Sequence, residues 1–222
     1  MKKLLLFIFC ISIIPQAFSQ VNFKVKAGIN YVGNYVMPSE LLDGGNLKYR
    51  FGYHFGLGSK FNLNENFILN SELLFSNKGT KIQNSESKNS SGNSSLHLNY
   101  LNLPIMIGYK TNKNLSFLAG PELGYLLSAR GRSPGSEPAN LSFLYNKKLD
   151  LGLAAGISYL IGEKIEIELR YIHGFLPVMD KIQWTDENGN LLDPSNSKEQ
   201  NRTFQLSVGF LIGKKMKNIN KM

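Results

Sequence analysis

The groups in this sequence equipped for chemistry are ionisable residues set singly into apolar, alternating runs. His54, Glu72, Glu122, Asp150, Glu168 and Arg170 all sit in such surroundings. One imidazole, four carboxylates and a guanidinium could pass protons, hold a ligand or pair with one another. If the polar faces of those runs enclose a narrow space, the charges must pair, because unpaired burial is costly. The expectation is therefore a structural polar cluster that fixes strand register, with Arg50 and Arg130 at its outer mouth. A hydrolase would need a serine, a histidine and an acid brought together. Of the three histidines, His54 is expected inward, His97 at a loop edge and His173 on the outer face, with Ser128 a candidate nucleophile. No GxSxG, HExxH or P-loop pattern occurs, so no catalytic, cofactor-binding or metal site is expected. Asp186, Asn188 and Asn190 are spaced like calcium ligands around Gly189. However, Asn188-Gly189 between Gln183-Trp184-Thr185 and Leu191-Leu192 is the stronger signal, that of a hairpin. Trp184 is the only tryptophan and a candidate loop contact for a partner, with packing inside that hairpin the favoured reading.

The elements that must position these groups are β-strands. Leu101, Leu103, Ile105, Ile107 and Tyr109 alternate with Asn102, Pro104, Met106, Gly108 and Lys110. After a polar turn the rhythm resumes from Leu115 to Ala129, which is a period-two hairpin. The same pattern predicts strands over 23–31, 49–61, 67–76, 149–159, 165–175 and 203–212, with strand four beginning near Leu96 and a bulge at Tyr100-Leu101. Connections between the eight strands alternate long and short, so one side carries four long loops and the other three tight turns. The fold class is all-β, an eight-stranded antiparallel up-and-down transmembrane β-barrel of the outer-membrane type.

Alternation alone would also suit a soluble, ligand-binding periplasmic barrel. Two patterns favour the membrane. Phe23, Phe61, Phe67, Tyr109, Phe117, Tyr159 and Phe210 fall near the turn side, and Tyr31, Phe51, Phe75, Tyr125, Tyr171 and Phe204 near the loop side. At ~3.3 Å per residue and a tilt of about 40°, the two levels lie roughly 20 to 25 Å apart, the height of an apolar band between aromatic girdles. The polar face is also rich in glycine, which weakens strands but suits a crowded lumen. An eight-stranded lumen leaves no room for a continuous water channel.

The chain opens MKKLLLFIFCISIIPQAFSQ, with two lysines, an apolar run too short to span a membrane and Ala17-Phe18-Ser19 before Gln20. This predicts a Sec signal peptide over 1–19 and export to the cell outer membrane. Cys10, the only cysteine, lies within it. The barrel domain is expected over 20–213 and a basic tail over 214–222. The formal charge is +9, or +7 without Lys2 and Lys3. The excess is scattered, and an exported chain rarely meets nucleic acid, so no nucleic-acid partner is expected.

The segments Asn99-Tyr-Leu-Asn-Leu-Pro-Ile-Met-Ile-Gly-Tyr109, Ala119-Gly-Pro-Glu-Leu-Gly-Tyr-Leu-Leu-Ser-Ala-Arg130, Asp150-Leu-Gly and Arg170-Tyr-Ile-His-Gly-Phe175 resemble the PorT-like outer-membrane β-barrel (porin) family. The resemblance covers essentially the whole mature chain. It implies an integral outer-membrane barrel and, through the name-giving PorT proteins, an association with type IX secretion and gliding. It carries no functional residues. Many such barrels end on an aromatic residue, whereas here Ile212 is followed by GKKMKNINKM, so an insertion signal is expected near Gly209-Phe210. The expected function is a non-enzymatic envelope component, in contact with outer-membrane lipid, whose loops or wall engage secretion or surface-assembly proteins. The alternatives are a small lipid-modifying outer-membrane enzyme and a soluble periplasmic binding barrel.

Overall fold

The computed structural model describes residues 21–37, 45–84, 94–145, 147–177, 179–180, 184–185, 191–192 and 198–213. The expected signal peptide, the basic tail and the Asp186/Asn188/Asn190 group lie outside them. Eight long strands make a closed antiparallel barrel: β1 (Val21–Met37), β2 (Arg50–Asn62), β3 (Phe67–Lys78), β4 (Ser94–Lys110), β5 (Leu115–Arg132), β6 (Leu149–Ile161), β7 (Ile165–Gly174) and β8 (Lys198–Ile212). Each strand pairs with its sequence neighbour, and β1 closes on β8 from Phe23↔Ile212 to Met37↔Lys198. Closure pairs each of the eight long strands on both sides, which a strand structure in lipid requires.

Local chemistry sets the tight turns. Asn64 Oδ1 accepts from the backbone N–H groups of Asn66 and Phe67, and Asn112 Oδ1 does the same for Asn114 and Leu115. These asparagines mimic a backbone turn at two ends. At the third, Gly162 takes φ +63, which favours a residue without a side chain.

Odd-numbered residues of β1 to β4 face outward and carry the apolar side chains. Phe51 is 70% exposed and Leu57 63%, among a wall of exposed Phe, Tyr, Leu and Ile around the barrel. An apolar surface of that extent belongs in lipid. The inner face is crowded: a Cβ on Gly56 would meet the carbonyl oxygen of Leu73, and one on Gly120 that of Ile105. The lumen glycines thus permit tight coiling of neighbouring strands.

The strands run further on the loop side than their sequence periods suggest. Gly45–Lys48 pairs with Lys81–Asn84, which pairs in turn with Ser94-Ser95 of β4. Met179–Asp180 pairs with β8. Backbone pairing of Trp184 with Leu192 and Thr185 with Leu191 agrees with the hairpin expected there.

The expected bulge falls in the β4–β5 pairing, between Asn99 and Tyr100, but its extra residue lies on the other strand. Asn99 faces Ser128 while Tyr100 faces Leu126, so Leu127 is the inserted residue. β4 keeps its parity, with Leu96, Leu98, Tyr100 and Asn102 all buried inside. Its change of apolar phase reflects a lumen that turns apolar near the outer mouth.

Candidate functional site: the lumen and its outer rim

The six predicted polar residues His54, Glu72, Glu122, Asp150, Glu168 and Arg170 are all buried, on the inner side of their strands. Four lysines and one glutamate, which the predicted cluster did not include, complete the set: Lys24, Lys26, Lys60, Lys78 and Glu166 are buried as well. Among the described residues, the buried ionisable groups are therefore five cations, five carboxylates and His54. Parity in β1, β2 and β7 was sufficient signal for all of these except Lys78, which lies beyond the predicted end of its strand.

The pairs form two groups. On the turn side, Lys60 Nζ lies 2.6 Å from Glu166, whose other oxygen is 2.8 Å from Lys24. Lys24 is 2.7 Å from Glu72, which also accepts from Lys26 at 3.2 Å and from Arg170 Nη2 at 2.8 Å. Arg170 Nε donates to Glu168 at 2.7 Å, and Lys26 is 3.0 Å from the same carboxylate. Towards the loops, Lys78 donates to Glu122 at 3.1 Å and lies 3.6 Å from Asp150. Asn102 and Asn201 donate to those two carboxylates at 2.7 and 2.9 Å.

Above Lys78 the lumen is apolar. Its ammonium lies 5.1 Å from the centre of the Tyr100 ring, which packs with Leu96, Leu98, Leu126, Ala129 and Tyr145. Tyr145 belongs to the β5–β6 connection, which Leu141 N–H holds to the Ala129 carbonyl at 2.9 Å. The chain's own connection thus covers the plug on the β4–β5 side.

His54 links three strands. Its ring meets Asn30 Oδ1 through Nδ1 at 2.7 Å and Ser207 Oγ through Nε2 at 2.8 Å. Asn30 Nδ2 donates to the Tyr53 and Asn77 carbonyls and to Ser76, so Asn30 Oδ1 is the acceptor. The proton is then on Nδ1 and the serine hydroxyl donates to Nε2, the order of a serine–histidine–amide relay. Ser207 and His54 are each 1% exposed, so no substrate reaches them. The predicted Ser128 and His173 are not joined: Ser128 accepts from Asn99, and His173 lies beside Tyr171 and opposite Arg202. Among the described residues no cluster of three His, Cys, Asp or Glu could hold a metal.

Two expectations about the mouth need correction. Arg130 does not face the lumen. The Leu127 bulge reverses the parity of β5, so Ala129 points in and Arg130 lies on the outer wall, opposite His97. Arg50 starts from the inner face but reaches outward. The regular β2–β3 ladder ends at His54↔Ser76, and beyond it Nη1 donates to Asn77 Oδ1 at 3.0 Å and to the Lys78 carbonyl at 2.9 Å. Its Nη2 donates to His97 Nδ1 at 3.0 Å. His97 must then carry its proton on Nε2, facing Ser95 Oγ at 3.2 Å. Burial, followed by the Arg50 and Arg132 charges, holds His97 below the usual histidine range.

Comparison with known proteins adds to this geometry. A family model described as "Outer membrane protein beta-barrel domain" matches residues 16–180. No curated protein matches the chain in sequence. Among solved structures, it is similar to Ail of Yersinia pestis in complex with the heparin analogue sucrose octasulfate, at 13% identity over 87% of this chain and 99% of that one, with a TM-score of 0.46. It is similar to Neisserial surface protein A at 13% identity over 86% and 96%, with a TM-score of 0.46. OprG from Pseudomonas aeruginosa gives 10% identity over 88% and 98%, with a TM-score of 0.43.

Proposed function

The chain belongs to the outer membrane protein β-barrel domain family, and from that premise we propose that it is a non-enzymatic envelope component whose outer wall and loops engage partners. The observation that carries this reading is the filled lumen. Among the described residues five cations and five carboxylates fill it, and an apolar cluster covers it on the β4–β5 side. A barrel so filled has its wall and its rim left to work with. The enclosed Ser207–His54–Asn30 relay supports the same reading against a lipid-modifying enzyme, since its hydroxyl has no route to a lipid headgroup. Lipid A mass spectra should accordingly be the same with and without the protein.

The partners we favour are secretion or surface-assembly proteins of the kind associated with PorT, a reading that rests on the resemblance of the YLNLP and GPELGYLLSA segments. The signal peptide over 1–19 would deliver the chain for insertion. Crosslinking in intact cells, purification in mild detergent and mass spectrometry of what is recovered test the proposal. Reproducible recovery of secretion or surface-assembly proteins is expected. Recovery of the barrel with general assembly factors alone would overturn it.

A further inference from the structure

The Leu127 bulge does more than adjust twist. By reversing parity above Tyr125, it moves Ser128, Arg130 and Arg132 from the inner to the outer face of β5. Bulges re-aim side chains in this way. On the outer face these residues meet matching rows of β4: Asn99 opposite Ser128, His97 opposite Arg130 and Ser95 opposite Arg132. The last row continues sideways, because Ser95 pairs with Lys81 and Lys81 with Lys48. Directly opposed residues share a face. Lys48, Lys81 and Arg132 therefore stand in one row, with Arg130 and the Arg50-linked His97 in the row below.

Like charges side by side are destabilising unless something offsets them. Among the described residues, no carboxylate pairs with Lys48, Lys81, Arg130 or Arg132, although Glu137 lines the adjoining cavity with Arg132 and Ser95. Hydroxyl and amide groups fill the gaps between the cations: Ser95, Asn99 and Ser128 on the strands, and Ser133, which is hydrogen-bonded to Ser94 at 3.1 Å. Such a surface suits an anion with several oxygens and a sugar carrying it.

Depth decides where that anion comes from. Leu101 and Tyr125 mark the top of the apolar band. At ~3.3 Å per residue and a tilt of about 40°, the Asn99/Ser128 row lies about 5 Å above it and the His97/Arg130 row about 10 Å. Lipid headgroups occupy the ~5–8 Å beyond the hydrocarbon core on each side. The cation rows begin just above that layer, so their long side chains reach down to meet headgroup phosphates.

We propose that the β4–β5 outer rim, formed by Arg130, Arg132, Lys48, Lys81, His97 and Ser95, binds the phosphorylated sugar headgroup of an outer-leaflet glycolipid. This extends the proposed use of the outer wall and rests on the barrel lying in an outer membrane. The test uses the full chain folded in nanodiscs of zwitterionic phospholipid, titrated with bisphosphorylated lipid A and read by native mass spectrometry. Wild type should retain lipid A, and Arg130→Ala/Arg132→Ala should weaken retention at least tenfold. Lys48→Ala/Lys81→Ala should weaken it several-fold, whereas Lys113→Ala/Lys164→Ala, at the opposite end, should not change it. Removing both phosphates from the lipid should weaken wild-type binding as much as the arginine variant does. Equal retention by wild type and Arg130→Ala/Arg132→Ala, or of lipid with and without phosphates, would overturn the proposal. Equally effective competition by glucosamine 6-phosphate would overturn the lipid as the source of the anion. A heat-dependent gel shift shows that each variant is a folded barrel, so failure to bind is distinguishable from failure to insert.

Discussion

The lumen and the outer rim use the same residue types to opposite ends. Inside, each cation has a carboxylate within salt-bridge distance, and Glu72 alone serves Lys24, Lys26 and Arg170. On the rim, two and three rows away from the lipid band, Lys48, Lys81, Arg130 and Arg132 gather without such partners among the described residues. Burial explains the difference. A charge in the lumen cannot be tolerated without a counter-charge, whereas a charge on the wall can wait in water for one. Balanced inner charges hold the barrel together, and the unbalanced outer ones are left to act on something else.

The largest effect should come from breaking the inner balance. Arg170→Met leaves Glu72 and Glu168 facing each other across a buried space and should cost roughly 3–5 kcal/mol, read as a lower urea midpoint of the gel-shifting folded form in detergent. Adding Glu168→Leu should recover most of that loss, because removing both charges is far less costly than removing one. If the single variant is as stable as wild type, the lumen pairs are not what holds the strands in register.

Deleting Leu127 should cost less, and for a different reason. Tyr100↔Leu126 and Asn99↔Ser128 would become consecutive pairs, so the ladder turns regular while Arg130 stays on the outer wall and Ala129 stays inside. The loss is that of one lipid-facing leucine and should be about 1–2 kcal/mol. Amide exchange of β5 checks this: protection above Leu126 should stay intact, and its loss would mean that the bulge itself holds the upper part of the strand. By contrast, Arg130→Ala/Arg132→Ala should shift stability by no more than about 0.5 kcal/mol. A large loss in that variant would mean that the rim is structural, and the comparison between the two regions would fail.

The strand framework was legible because each strand has one lipid face and one lumen face, and period two records that directly. The six lumen residues followed from parity alone. Lys78 did not, because β3 keeps its inward side chains past Ser76, where the local sequence turns polar and resembles a loop. The position of Arg130 was illegible for a deeper reason. An inserted residue changes the face of everything after it, and Leu126-Leu127-Ser128 contains no glycine or proline to mark the insertion. Arg50 was read as a mouth residue because nothing local says that the β2–β3 ladder ends at His54. That end is a property of the pairing, where the Asn30 amide takes up the Tyr53 and Asn77 carbonyls.

The smallest effect sits at the junction of the two regions, on His97. Arg50 can only donate, so it holds Nδ1 as an acceptor and opposes protonation, and Arg132 adds to that opposition. The ring should titrate below the ordinary histidine value of about 6.5, observable by NMR in detergent micelles. A folded value below the unfolded one means that the neutral ring's contribution to stability is present above about pH 6.5 and is lost as pH falls through the folded value. Arg132→Ala removes one opposing cation and should move the midpoint upward, while Lys26→Met, deep in the lumen, should leave it where it is. If the lumen variant moved His97 as far as the rim variant, the two regions would share one electrostatic environment, and the apolar cluster around Tyr100 would not separate them.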